Sequence, residues 1–342
     1  MGRSFNRFFA KTIPIGGSTI CLPNRFRYRS RQLIALLLSV CLSIACSSKV
    51  EQPGPISINE STRPVDHAMG VSNVPEIPTR VVVLDTDSLD AAIALGTTPI
   101  GARIHQTLSN YLGDVRTSGI VSVSSANQPN LEKIARLQPD LILGSKVGVE
   151  EIYPKLSRIA PTVLSESNGR EGNWSDQLRL YAKAMGKEDR VDPLLDSYQQ
   201  QLETVRQQIG TPEDTVVSVV FSEKSYIGFY SHTSFAGSIL TDIGFSRPKI
   251  QTQPVSATYL SVVSKEAFQD LDGDIIFLLT SDSRDTLSLE EFIKDPLYSQ
   301  LSAVKANEVY AVDSGIWTGG RNILAAQHVL SDISRALTLD EN

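Results

Sequence analysis

The chain has 342 residues, 41% hydrophobic and 20% charged, an ordinary balance for a folded protein long enough to build two lobes with buried cores. A net charge of -6 without a basic stripe beyond the N-terminus excludes nucleic acid as a partner. Cys21, Cys41 and Cys46 all precede the body of the chain, which excludes disulfides, cysteine-metal sites and a catalytic cysteine there.

In chain order, Arg25, Arg27, Arg29 and Arg31 lead into the apolar run 33–45, a pattern of export signals and too short to span a bilayer comfortably. Leu42-Ser-Ile-Ala-Cys46 resembles a bacterial lipobox, with Ser43 where leucine is commoner. Residues 1–46 therefore read as a lipoprotein signal peptide with Cys46 as the lipid attachment point; plain secretion with cleavage nearby is the alternative. The stretch 47–72, rich in Ser and Pro at its start, is expected to be a flexible tether, with the folded part beginning near Asn73.

The first lobe is expected over 73–186. Pro78-Thr-Arg-Val-Val-Val-Leu reads as a buried strand, and the run from Asp87 or Ser88 to Gly96 as a capped helix. A short strand ending before Arg103, an Asn130-capped helix carrying Glu132, strands at 141–143 and 162–164, and helices at 150–159 and 175–185 follow. Over 187–210, Val191, Leu194, Leu195, Tyr198, Leu202, Val205 and Ile209 recur at helical spacing, and Gly210 with Pro212 ends the run. Such a helix is roughly 30 Å long, enough to join two lobes. The second lobe, 211–342, shows strands at 215–221, 275–279 and 309–312, and helices at 233–243, 289–298 and 322–337, with Ser264 capping the helix that carries Glu266.

The two lobes repeat one another. Glu132, Leu137 and Asp140-Leu-Ile-Leu stand at the same offsets as Glu266, Leu271 and Asp274-Ile-Ile-Phe. Strands alternating with helices give an α/β fold with parallel sheets, whose strand C-terminal ends face one cleft between lobes. No GxSxG, P-loop or GxGxxG is present, so the chain reads as a non-enzyme. His67, His105, His232 and His328 lack the spacing of a metal site.

The run 78–84, Ala94-Leu-Gly-Thr-Thr-Pro-Ile-Gly101, Pro129-Asn-Leu-Glu-Lys-Ile, Leu137-Gln-Pro-Asp-Leu-Ile-Leu, Ile159-Ala-Pro-Thr-Val and Trp317-Thr-Gly-Gly together resemble the iron-siderophore substrate-binding proteins of bacterial ABC importers. The resemblance implies two Rossmann-like lobes joined by a single long α-helix, with limited hinge motion. It implies a monomeric, lipid-anchored extracytoplasmic or periplasmic receptor with no intrinsic cofactor, which hands a ferric siderophore to an ABC permease dimer. Glu132 and Glu266 match the acidic residues that pair with permease arginines in that family; first-turn placement, favoured by the helix dipole, is the alternative account of both. A ferric siderophore needs cations for its outer oxygens and rings for its skeleton. Arg103, Trp174, Tyr226, Tyr230, Trp317 and Arg321 are the expected ligand contacts, ahead of Arg247, Tyr259 and Arg284. Cobalamin or heme as ligand, the latter with His105 or Tyr226 as axial candidates, and a sensor lipoprotein of the same fold remain open.

Overall fold

The computed structural model describes residues 61–103, 112, 118–125, 128–253 and 260–339, all within one compact unit, Asn59–Asn342. The expected signal peptide, residues 1–46 with Cys46, lies outside the described residues.

Folded structure begins earlier than expected. β1 (Thr62–His67) and β2 (Gly70–Pro75) form an antiparallel hairpin. Val65 and Val74 are fully buried, and the hairpin is bonded to the strand Thr162–Ser165, through the Ala68 amide to Leu164 O and Ser72 Oγ to Thr162 O. His67 Nδ1 accepts from the Met69 amide, and its Nε2 lies 2.9 Å from Ser72 Oγ. Residues 62–72 are therefore part of the body rather than of a tether. Pro64 and a polar outward face disguise a hairpin that buries one side only.

The first sheet comprises β3 (Val81–Val83), β4 (Gly101–Ala102), β5 (Val121–Ser122), β6 (Leu141–Ser145) and β7 (Thr162–Ser165), all parallel in the order β5-β4-β3-β6-β7. Helix α1 (Thr86–Ala94) follows β3. Its cap is Asp85, two positions before Asp87 and three before Ser88, because the Asp85 carboxylate accepts from Ser88 N at 2.9 Å. Short α2 (Leu131–Arg136) is capped by Asn130, whose Oδ1 accepts from Lys133 N. Helix α3 (Trp174–Met185) ends at Gly186 in the left-handed conformation, and α4 (Val191–Ile209) follows one 3-10 turn later. Pro193 sits in the first turn of α4, where no amide hydrogen bond is lost.

The second sheet has the order β10-β9-β8-β11-β12, from β8 (Val217–Ser222), β9 (Ile227–Tyr230), β10 (Leu260–Val263), β11 (Ile275–Thr280) and β12 (Val309–Asp313). It is mixed rather than wholly parallel. β8, β11 and β12 run parallel, but β8 turns back directly into β9 through reciprocal Glu223 and Tyr226 backbone hydrogen bonds, so β9 is antiparallel to both neighbours. Helix α5 (Phe235–Ile243) is capped by Ser234 and ends at Gly244, matching α1 and Gly96. Glu266 lies in a 3-10 turn, Lys265–Leu271, without a capping hydrogen bond from Ser264. The repeated aspartates explain the duplication physically. Asp140 accepts from the Thr79 and Arg80 amides, and Asp274 from the Val216 amide, so each ties the start of one central strand to the next.

Alternation along the central strands sorts the core into layers. Val81, Val83, Leu141 and Leu143 face a central cluster, while Val82, Leu84 and Ile142 face an outer one. In the second sheet Val217, Val219 and Phe277 face the same central cluster, and Val220, Ile276 and Leu278 a separate outer one. The central layer is thus continuous between the lobes. It includes Tyr198, Leu202 and Val205 of α4, together with Val329, Leu330 and Ile333 of the last helix, α6 (Ile323–Leu339).

The N-terminus of α6 is held by the other lobe. Asp90 on α1 is fully buried, and its two carboxylate oxygens accept from the Leu324 and Ala325 amides at 2.9 and 3.0 Å. Beside it, Asp87 accepts from Asn322 Nδ2 at 2.7 Å and from the Tyr181 hydroxyl at 3.0 Å. Burial, with Asp85 and Asp90 adding repulsion, pushes the Asp87 carboxyl well above the ordinary range against the pull of those hydrogen bonds.

Candidate functional site

The strand C-terminal ends of both sheets open into cavities, and the segment 314–321 contributes to each. On the first lobe a cavity of about 220 Å³ is walled by Asp85 and Thr86 after β3, Arg103 after β4, Ser145 at the end of β6, and Arg170 in the loop before α3; Arg321 completes it from the far segment. Asp85 accepts three hydrogen bonds. Its Oδ1 accepts from Ser88 N and Oγ, and its Oδ2 from Ser145 N at 2.7 Å. Arg103 Nε is buried and finds no hydrogen-bond partner among the described residues. Arg321 Nε donates to Thr318 O at 3.1 Å, which orients its guanidinium. The loop carrying Arg170 is pinned across the lobes: the Phe235 amide, opening α5, donates to Arg170 O. Gly169 has a φ of +75°, and a Cβ there would stand 2.5 Å from Arg321 O, so these two arginine-bearing segments touch only because glycine is present.

On the second lobe a cavity of about 380 Å³ is lined by aromatic and hydroxyl groups, among them Phe221, Tyr226, Tyr230, Ser281, Ser314 and Thr318. Phe221 holds both tyrosines edge-on, with ring centroids 6.0 Å from Tyr226 and 5.7 Å from Tyr230. Glu223 also lines it, and a hydrogen bond to this carboxylate raises the Tyr226 phenol. A further depression of about 410 Å³ between α4 and α6 lies away from the strand ends, and its cation, Arg335, pairs with Asp332.

The structure gathers Arg103 and Arg321 in one half-site and Tyr226 and Tyr230 in the other. It removes both tryptophans from the cleft. Trp317 is fully buried, packs on Phe277 with centroids 4.7 Å apart and donates Nε1–H to Asp332 at 3.0 Å. Trp174 is 4% exposed and meets Tyr198 of α4 edge-on. Their loop-like neighbourhoods suggested ligand stacking; instead each turn points its ring inward, leaving Thr318 to face the cavity. Arg170 was missed, and its only local signal is the pair of glycines, Gly169 and Gly172, that bracket it. Of the weaker candidates, Arg247 is buried, bonded to Tyr230 O and Gln251 Oε1, and burial lowers it to about 9. Tyr259 and His105 lie outside the described residues. Glu132 is exposed on α2 and paired with Arg136 one turn on, a contact worth about 0.5 kcal/mol at most. The side chain of Glu266 lies outside the described residues.

The buried tryptophans give a direct check. Iodide is expected to quench the native emission weakly and the urea-unfolded emission strongly; strong quenching of the native chain would place an indole at the surface.

Comparison with known proteins agrees with this architecture. The periplasmic binding protein family model matches residues 81–315. The probable siderophore-binding lipoprotein YfiY of Bacillus subtilis is 35% identical over 88% of this chain and 95% of its own length. The Fe(3+)-citrate-binding protein YfmC of the same organism is 30% identical over 90% and 98%. Among solved structures, Staphylococcus aureus SirA complexed with staphyloferrin B is 29% identical with a TM-score of 0.70, covering 81% of this chain and 99% of that one. Two α/β lobes around one helix, with a cavity at the strand ends of each, and a match over most of the folded part leave one assignment: the chain belongs to the periplasmic binding protein family.

Proposed function

We propose that this protein captures a ferric siderophore between its lobes on the extracytoplasmic side of a membrane and delivers it to an ABC-type iron importer, without catalysing a reaction. The observation that carries this reading is the pairing of a cationic half-site, Arg103 with Arg170 and Arg321, with an aromatic and hydroxyl half-site around Tyr226 and Tyr230. Cations meet the outer oxygens of a chelate whose iron is already coordinated, and rings cover its carbon skeleton. The relatives named for siderophore and ferric citrate binding support the same ligand class. Cys46 carries the lipid that holds the monomeric receptor at the membrane, and among the described residues no helix is long and apolar enough to cross it.

Docking falls to Glu132 and Glu266, one on each lobe, which register the receptor on a two-fold permease through charge. The test is a reconstituted transporter with the purified chain. Glu132→Arg with Glu266→Arg is expected to abolish stimulation of ATP hydrolysis while changing ligand affinity less than about twofold, since a rim charge acts on encounter rather than on the ligand cavity. Full stimulation by the double variant would remove the docking assignment. Failure of the unaltered chain to bind any ferric chelate, heme and cobalamin being assayed beside them, would remove the capture role.

A further inference from the structure

The geometry points to Asp87 as a proton-linked element of capture: an anionic ferric chelate seated in the first-lobe cavity draws a proton onto this carboxyl and binds more weakly once it ionises. The inference rests on the capture role above and adds a coupling to it.

Asp87 is fully buried and follows Asp85 and Thr86, which line that cavity. Its hydrogen bonds lead to the other walls. Oδ1 accepts at 2.7 Å from Nδ2 of Asn322, the neighbour of Arg321, and the same amide reaches Trp174 O at 3.4 Å. Oδ2 accepts at 3.0 Å from the Tyr181 hydroxyl, which stands 3.1 Å from Gly144 O and 2.9 Å from Ser165 Oγ. Gly144 precedes Ser145, whose amide holds Asp85, and Ser165 Oγ donates to Ser167 O beside Asn168 of the cavity wall. Four segments that wall the cavity therefore meet at one buried carboxyl.

The Tyr181 hydroxyl has two arrangements open to it. With Asp87 ionised it donates to the carboxylate; with Asp87 protonated the carboxyl donates to the tyrosine oxygen, and the tyrosine hydroxyl turns to Gly144 O. Both states are hydrogen-bonded, so the proton comes and goes within an intact fold.

The surroundings favour the neutral form. Burial and then the Asp85 charge hold the carboxyl up, Asp90 adds to them, and the hydrogen bonds from Asn322 and Tyr181 oppose. The groups acting on it are thus Asp85 and Asp90 from the cap and body of α1, Tyr181 from α3, and the neutral Asn322 just before α6; the cations of the cavity wall are Arg103, Arg170 and Arg321. A negative chelate in that cavity repels an ionised Asp87 and leaves a neutral one unaffected. The coupling is reciprocal: protonation tightens the complex by the factor by which the chelate favours protonation. Affinity is therefore highest below the midpoint of Asp87 in the free protein, falls as pH rises through it, and levels off above the midpoint in the complex.

The test is calorimetric titration of the full chain between about pH 5 and pH 9 with ferric citrate, ferric enterobactin and ferrioxamine B, the tightest binder being carried through the series beside Asp87→Asn. Chelate speciation cancels in the ratio of parent to variant affinity. That ratio is expected to fall about three- to tenfold across the range, a factor of ten matching a midpoint raised by one in the complex. Buffers of different ionisation enthalpy should show a proton uptake on binding by the parent that the variant lacks. Tyr181→Phe removes a donor from the ionised carboxylate and is expected to move the step to higher pH, and melting curves recorded with each series show that both variants fold. A constant ratio, or one that rises with pH, would overturn the linkage and leave the capture role standing. No binding of any ferric chelate would overturn both.

Discussion

Asp90→Ala is expected to destabilise the protein by about 3 kcal/mol, a large share of the stability of an ordinary domain. The substitution touches no ligand contact. It removes two carboxylate oxygens from the first turn of α6 and leaves the Leu324 and Ala325 amides without acceptors, Ala325 being fully buried. Each unsatisfied buried amide costs about 1–3 kcal/mol, and the helix loses a negative group at its positive end. Asp90→Asn keeps one acceptor and is expected to lose about half as much. Urea unfolding reads both: the midpoint falls while the slope is unchanged. Hydrogen exchange at residues 324 and 325 should accelerate in the same order. A loss below about 1 kcal/mol for the alanine variant would mean that water or a neighbouring group replaces the carboxylate.

The second large effect is a pH dependence centred on Asp87. Its carboxyl is raised in the folded state, so above its unfolded value of about 4 the native chain holds a proton that the unfolded chain releases. Within the window from about 4 up to the raised folded value, stability therefore falls as pH rises, by at most about 1.4 kcal/mol per unit from this group. Asp87→Asn abolishes that contribution. The amide keeps an oxygen for Asn322 Nδ2 and presents its NH₂ to the Tyr181 oxygen, while the Tyr181 hydroxyl is 3.1 Å from Gly144 O and free to donate there instead. The variant is expected to be more stable than the parent at pH 7 and to show a flatter profile between pH 4 and 7. A parent and variant with parallel profiles would show that Asp87 titrates as an ordinary carboxylate.

Much of this architecture is written in the chain. The spacing from Val191 to Ile209 announces the interlobe helix, and Asp140 with Asp274 announces the duplication, because each performs the same strand-tying task in its lobe. Two hairpins escaped. Residues 62–75 bury Val65 and Val74 on one side only, and the β8–β9 turn lacks the Asn-Gly or Asp-Gly pair that marks tight hairpins. In the site, Arg103 and Arg321 were legible because each follows a strand or a glycine turn. Trp174 and Trp317 were misplaced for a general reason: near a loop, sequence shows that a ring is present but not whether it points inward. Arg170 was hidden because its position depends on an amide from α5, a partner more than sixty residues away in the chain.

The seat of α6 also bears on time. Its apolar face closes the central layer of both lobes, and its first amides end on a carboxylate made some 230 residues earlier. A chain emerging from its N-terminal side therefore holds a first lobe in which the Asp90 carboxylate has not met the Leu324 and Ala325 amides until residues 323–339 arrive. Completion is a single late event for the whole body rather than two successive ones, and the nascent chain needs protection from aggregation over almost its entire length.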